Sequence, residues 1–402
     1  MNFKSFLPLF FCVFLISTQA ADWYTWRGPH GNGISDETGW NPQAIATPKI
    51  IWQQELGVGY SSVSVINDKL YTMGNLEIDG TSTDVVYCLD AKSGQEIWKY
   101  SYSCPRGNYP GPRATPIFEN GRIYTLSQMG RLYCFEALTG KVIWQRDILQ
   151  EYDFPTINWG LASSAVFYED ILIVNAGRAG IAFNKNNGKL IWNNGIGKAG
   201  YATPVLFNQQ QTTYAAIFSD AALHLVQAAT GKIKWTYPWE DRYEVYAFDP
   251  LIDNNKLFLT SESPRNGCVL LDINGEKPQE IWSKKRLKVI FGGNVLMNGF
   301  MYGVDGTPGS TAKLKCFHYE TGEEKWSQAL GFGTFNVAAN KILFLHENGT
   351  LYVIEVNPNR YREIAKGKIL EKKVCWTAPI LANGRIYARN NPGQLVCIDM
   401  SQ

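Results

Sequence analysis

The sequence predicts an all-β fold: an eight-bladed β-propeller of four-stranded antiparallel blades, closed by an N-terminal strand that joins the last blade. Three observations predict it. A hairpin motif ending in Trp recurs along the chain, its Trp residues are evenly spaced, and each end of the chain lacks the part of the motif that the other end carries. The motif is clearest in Tyr87-Cys-Leu-Asp-Ala-Lys-Ser-Gly94-Gln-Glu-Ile-Trp98 and returns in Leu132–Trp144, Ala182–Trp192, Val226–Trp235 and Cys316–Trp326, with a looser copy from Leu270 to Trp282. Each copy reads as a half-buried strand, a turn in which Gly supplies the positive φ, and a second strand ending in Trp. From Trp52 the intervals are 46, 46, 48, 43, 47 and 44 residues. A period in the forties built of short strands is that of a propeller blade.

Taken in order, residues 1–20 combine Lys4, an apolar run from Phe6 to Ile16 and the small-residue site Thr18-Gln-Ala20. This is the pattern of a cleavable secretory signal peptide. No Cys stands at the cleavage site to take a lipid, and no other apolar run is long enough to span a bilayer, so a secreted or periplasmic protein without a transmembrane segment is expected. Loss of Lys4 takes the net charge of +2 to about +1, which excludes an electrostatic pull toward nucleic acid. Residues 21–47, rich in Gly and aromatics, precede any repeat and predict an irregular arm packed on the propeller. Pro48-Lys-Ile-Ile-Trp52 is a Trp strand with no hairpin before it, and Gly393–Met400 is a hairpin strand with no Trp strand after it. Pairing the two closes the ring and removes both open sheet edges. The propeller then covers residues 48–402, as a monomer.

The blades open near Tyr60, Arg113, Leu161, Tyr201, Ala247, Phe291, Phe332 and Trp376, each like Pro112-Arg-Ala-Thr-Pro-Ile117. The seventh departs from the pattern: Asn357-Pro-Asn replaces its Gly turn, and Ala365 stands where a Trp is due. Seven blades is the alternative count. Trp52, Trp98, Trp144, Trp192, Trp235, Trp282 and Trp326 are expected to dock neighbouring blades by burying large aromatic surfaces. Cys88, Cys134, Cys316 and Cys397 hold one equivalent position in four blades, too far apart in a radial array for a disulfide, and read as small apolar fillers. Cys104 and Cys375 lie in connecting segments, and their pairing is left open.

Asp-Ala-x-x-Gly-x-x-x-Trp in these copies resembles the pyrroloquinoline-quinone-type propeller repeat of the quinoprotein alcohol dehydrogenase-like superfamily, and Trp26-Arg-Gly-Pro-His-Gly-Asn-Gly-Ile-Ser35 with Pro48–Trp52 is similar to the leader of a group of exported bacterial proteins that carry it. The resemblance implies two kinds of function. Quinoprotein dehydrogenases hold the quinone and a calcium ion on the propeller axis, whereas the outer-membrane assembly lipoprotein is a non-catalytic binding propeller. The vicinal Cys-Cys pair of the dehydrogenases and a Cys-x-x-Cys-His haem site are both missing here.

In a propeller the blade openings ring the central funnel. The candidate ligand-binding residues are Tyr60, Arg113, Trp159, Tyr201, Tyr246, Asp249, Phe291, Asn294, Asp305, Phe332 and Trp376. Loops on the same face add Arg178, Asp220, Glu262 and Arg389. Flat faces with a few charges suit a quinone, a sugar or a peptide, and aromatics near the axis also fill the taper of the fold. The four His residues show no metal-ligand spacing. Asp272-Ile-Asn-Gly-Glu276 begins like a calcium loop but lacks its later acidic ligand. Glu77, Asp79 and Asp84 sit together in the longest blade insertion, where solvated loop charge is the simpler reading. Phosphate loops and nucleophile elbows are absent. The sequence thus favours an exported non-catalytic scaffold that binds a partner protein or a glycan through its funnel face. The alternatives are a short quinone-dependent dehydrogenase with calcium on the axis, held by Asp249, Asn294 or Asp305, and a structural component of the cell envelope.

Overall fold

The computed structural model describes residues 21–401 except 263–265, 286, 290–292 and 372–373. The proposed signal peptide and Phe291 lie outside the described residues. Eight antiparallel sheets follow one another along the chain, the first spanning Ser64–Ile66, Lys69–Ile78, Thr81–Asp90 and Glu96–Ser103. The eighth combines Ile380–Ala382, Arg385–Arg389 and Gln394–Asp399 with Ile50–Glu55, which pairs antiparallel to the last of these so that Trp52 stands opposite Cys397. The count is therefore eight, and the ring closes between the two ends of the propeller. Residues 356–362, bent at Asn357-Pro-Asn with Asn359 N donating to Asn357 Oδ1 at 2.9 Å, connect the paired strands Thr350–Glu355 and Glu363–Lys368 of the seventh blade.

The repeated Trp residues lie between blades. Trp98 Nε1 donates to the Ala137 carbonyl of the next blade at 2.9 Å, Trp144 to Lys185 at 2.9 Å, and Trp192 to Ala228 at 3.0 Å. Trp52, Trp282 and Trp326 repeat the contact onto Ala91, Tyr319 and Asn357. Trp235 is the exception: the carbonyl of Ile273 receives Gln209 Nε2 at 2.7 Å, and the Trp235 indole N–H is left unpaired. The motif Gly is needed by its neighbour as well as by its own turn. Gly140 has φ +72°, and a Cβ there would lie 2.6 Å from the Trp98 ring. Gly140→Ala is expected to lose about 1–2 kcal/mol from the left-handed backbone alone, and more from displacing Trp98. A denaturation midpoint equal to that of the parent would contradict this.

Tyr and Cys complete the layer. Tyr71, Tyr124, Tyr302 and Tyr387 stand opposite Cys88, Cys134, Cys316 and Cys397 on paired strands. The hydroxyls of Tyr71 and Tyr387 donate to Ala137 and Ala91, the carbonyls already used by Trp98 and Trp52. Burial pushes the Cys88 thiol up to about 11, which leaves it protonated and unreactive at neutral pH. Cys104 and Cys375 form no disulfide. In the seventh blade the space left by Ala365 is taken by the arm: Trp40 and Ile45 join Ala365, Val353, Ile386 and Ile398 in one apolar cluster. At the closing seam Arg389 is buried, and its guanidinium donates to the carbonyls of Ser61 (2.9 Å), Met73 (2.7 Å) and Gly57 (3.3 Å). Burial lowers its pKa to about 10, so it stays charged and acts as a clamp between the last blade and the first.

The arm does not simply pack on the outside. Trp23 forms an antiparallel bridge with Val65 of the first blade, and the Tyr24 carbonyl accepts from Phe118 N of the second at 3.0 Å. Ile34–Ser35 then adds a parallel strand to Gly333–Ala338, the inner strand of the seventh blade. Glu37 reaches the eighth blade by accepting from Gly384 N. The arm thus crosses the central channel and leaves it between blades seven and eight.

Candidate functional site

Where the inner strands converge, the arm closes one end of the channel and leaves a cavity of about 390 Å³. Trp23, Thr25, Trp26 and Arg27 of the arm form its floor, and Tyr60, Arg113, Tyr201, Asp249 and Trp376 form much of its wall. Tyr109, Trp159, Glu262, Thr307 and Pro308 line it from the connecting loops. The aromatics come in pairs: Tyr109 and Trp159 have ring centroids 4.3 Å apart at 30°, and Tyr60 and Trp376 5.7 Å apart at 32°. Such faces bind flat or ring-shaped groups by stacking. The Arg113 guanidinium lies 5.1 Å from the Tyr60 ring centre and donates to Gln128 Oε1 (2.6 Å) and the Tyr109 carbonyl (2.7 Å). It is held by neutral acceptors, and burial lowers its pKa.

A relay of backbone-to-side-chain hydrogen bonds runs around the inner wall. Ser62 N donates to Thr115 Oγ1 (3.2 Å), Thr115 N to Ser164 Oγ (2.9 Å), Ser164 N to Thr203 Oγ1 (3.0 Å), and Thr203 N to Asp249 Oδ1 (2.7 Å). The relay therefore links blades one to five and ends on a carboxylate where the earlier positions carry hydroxyls. The other Asp249 oxygen accepts the indole N–H of Trp26 at 2.5 Å. Burial raises the Asp249 pKa, while the Arg27 charge, the Trp26 N–H and the Thr203 N–H oppose that rise. Arg27 donates to the backbone carbonyls of Asn294 and Asn32. Its own pKa is lowered by burial and partly restored by Asp249.

The structure brings Tyr60, Arg113, Trp159, Tyr201, Asp249, Asn294 and Trp376 together on one cavity, along with Glu262. Tyr246 lies behind the wall, edge-on to Phe218 at 5.1 Å. Phe332 is buried behind Trp376, while Asn336, four residues on, faces the cavity. Asp305 is turned away from it: one oxygen meets Lys315 Nζ at 2.8 Å and the other accepts from Lys288 N at 2.9 Å. Arg178 and Asp220 form an ion pair at 3.7 Å outside the lining, and Arg389 belongs to the seam. In the blade insertion, Asp84 is buried beside Asn75 whereas Glu77 points outward to Arg106. Sequence reasoning missed the four arm residues and Tyr109. It also passed over a signal in the blade openings: Ala247-Phe-Asp-Pro250 carries Asp where Arg113-Ala-Thr-Pro116 and Tyr201-Ala-Thr-Pro204 carry Thr.

A calcium centre does not fit these residues. Calcium takes six to eight oxygen ligands, usually with several carboxylates. Asp249 has both oxygens engaged by donors and faces a guanidinium, Asp305 lies elsewhere, and a Cβ on Gly303 would come within 2.7 Å of Asn294 Oδ1, so that oxygen is turned toward its own blade. Among the described residues no three His, Cys, Asp or Glu side chains gather as a metal site. The cavity lining holds no His or Cys among the described residues.

Comparison with known proteins places these features among propellers of both kinds. A family model described as outer membrane protein assembly factor BamB matches residues 82–328. Among curated proteins, BamB of Yersinia pestis is 20% identical over 320 residues, covering 75% of this chain and 78% of its own length. The quinoprotein alcohol dehydrogenase PedH of Pseudomonas putida is 25% identical over 178 residues, which is 41% of this chain and 29% of the dehydrogenase. The match thus spans less than a third of that enzyme. Among solved structures, the quinohemoprotein alcohol dehydrogenase of Comamonas testosteroni superposes with a TM-score of 0.72 at 14% identity, over 94% of this chain and 80% of that one. At that identity the likeness is one of fold.

Proposed function

Because the chain belongs to the family described as outer membrane protein assembly factor BamB, a branch of the PQQ-like propellers, we propose that it is a non-catalytic binding propeller of the cell envelope whose floored cup captures a segment of a partner protein. The observation that carries this reading is the cup itself, a cavity lined by two aromatic pairs with no His or Cys among its described residues. An inserted aromatic or aliphatic side chain would stack on Trp159 and Trp376, while backbone amides of the segment would find Glu262 and Thr307. Burial of such an anchor in a central pocket is how interfaces concentrate their affinity. The protein would act as a monomer outside the cytoplasm. Among the described residues no helix is long and apolar enough to cross a membrane.

Chemical cross-linking in the envelope fraction tests this. The wild-type chain should enrich one partner protein, and Trp159→Ala with Trp376→Ala should reduce that capture about tenfold or more, as loss of an aromatic hot spot does. Capture of a polysaccharide would move the reading to a glycan. The quinone-dependent alternative draws support from the dehydrogenase match and none from calcium ligation, since both Asp249 oxygens are engaged by N–H donors. One-equivalent binding of pyrroloquinoline quinone with calcium and alcohol-dependent dye reduction would establish it and overturn the proposal.

A further inference from the structure

We propose that Arg27 is the resident cation of the central channel: the arm's guanidinium lines the same cavity as Asp249, bonds the Asn294 carbonyl, and so makes the cup metal-independent. Asp249 is the one charged side chain in the inner-wall relay, at a position that is Thr in Arg113-Ala-Thr-Pro116 and Tyr201-Ala-Thr-Pro204. A carboxylate enclosed in this way requires compensation by opposite charge or by strong donors. Two consecutive arm residues supply both. Trp26 gives an indole N–H at 2.5 Å, and Arg27, held at the Asn294 carbonyl, brings a full positive charge to the cavity that Asp249 lines.

The arm is shaped to place that charge. Arg27 has φ +61°, a left-handed conformation uncommon for a side chain of its size. Its Nη2 donates to the Asn294 and Asn32 carbonyls, which ties the guanidinium to blade six and to the arm's own turn. Gly33 leaves the space it needs, since a Cβ there would lie 3.2 Å from Nη2 and 3.3 Å from Asn336 Oδ1. A strained backbone kept at a half-buried charge in a cavity wall is the pattern of a functional constraint. A second cation in this cavity would face the guanidinium, and like charges there repel. The inference goes beyond the partner reading and holds whatever occupies the cup.

Terbium serves as the probe, because its emission is sensitised by nearby indoles and Trp26 touches Asp249, with calcium-dependent thermal melts as a second readout. The full mature chain should give no saturable terbium signal, and millimolar calcium should leave its melt unchanged. Arg27→Gln, checked by circular dichroism for an intact fold, should gain one-site terbium binding at least about tenfold tighter than the parent's. Adding Asp249→Asn to that variant should abolish the gain, and Arg27→Lys, which keeps the charge, should behave like the parent. A folded Arg27→Gln that gains no binding overturns the proposal. If Arg27→Gln does not fold, the parent and Arg27→Lys still decide: saturable terbium binding to either that Asp249→Asn removes would overturn it, and its absence from both is the expected result. Because the probe is a metal ion and the partner assay is not, failure of one leaves the other standing.

Discussion

Deletion of residues 21–56 will abolish cooperative unfolding of the whole ring. The segment supplies the outermost strand of the eighth blade, Ile50–Glu55, so its loss exposes the edge of Gln394–Asp399. It removes Trp52, whose indole joins blade eight to the Ala91 carbonyl of blade one. It takes away Trp40 and Ile45, which fill the gap beside Ala365, and it takes Trp23, Trp26 and Arg27 from the channel, leaving Asp249 with the Thr203 N–H but without the Trp26 indole. Apart from the contacts to Asp249 and Asn294 on blades five and six, the losses fall on one sector, where blades seven, eight and one meet. The truncated chain should show no sharp melting transition and should bind a hydrophobic dye at temperatures where the parent does not. Deletion of residues 21–35 alone should be milder, since it spares the closing strand and the Trp40 wedge. A truncation to residue 57 that melts as sharply and as high as the parent would refute the closed ring.

Trp144→Ala is expected to destabilise the protein by about 3–5 kcal/mol, the range for truncating a large aromatic in a packed core. Trp144 is buried between blades two and three, packs on the Gly188 turn and donates to the Lys185 carbonyl at 2.9 Å. Tyr124 OH donates to that same carbonyl at 3.1 Å, so the acceptor stays satisfied and the loss is mainly one of packing. Trp144→Phe should therefore retain most of the stability and lose only about 0.5–1.5 kcal/mol for the missing hydrogen bond, beyond the smaller ring. Urea denaturation would separate the two variants by midpoint at an unchanged slope. A midpoint for Trp144→Ala within error of the parent's would mean that the repeated indoles do not hold the blades together.

The blade pattern was legible because it is local. A Gly turn, a strand of alternating burial and a Trp at fixed spacing are encoded within a dozen residues, and six copies in phase, with a seventh Trp strand at Trp52, leave few architectures open. Even the irregular seventh blade could be counted, although nothing near Ala365 announces that Trp40 and Ile45, more than three hundred residues earlier in the chain, fill its missing volume. The same limit applies to the glycines. Their turn role follows from sequence, but the indole that rests on Gly140 belongs to Trp98 of the blade before.

By itself the sequence determined the repeat, a count of eight blades with seven as the alternative, the seam between the Trp52 strand and the last hairpin strand, and the ring of blade openings, because each depends on short-range pattern and on the rule that sheet edges must pair. Only the tertiary structure decided which openings face the cavity, that the arm enters the channel, and that Asp249 meets Trp26 and Arg27. An arm without a repeat carries no periodic signal. Its path is set by the volume and charge that the closed ring leaves unfilled.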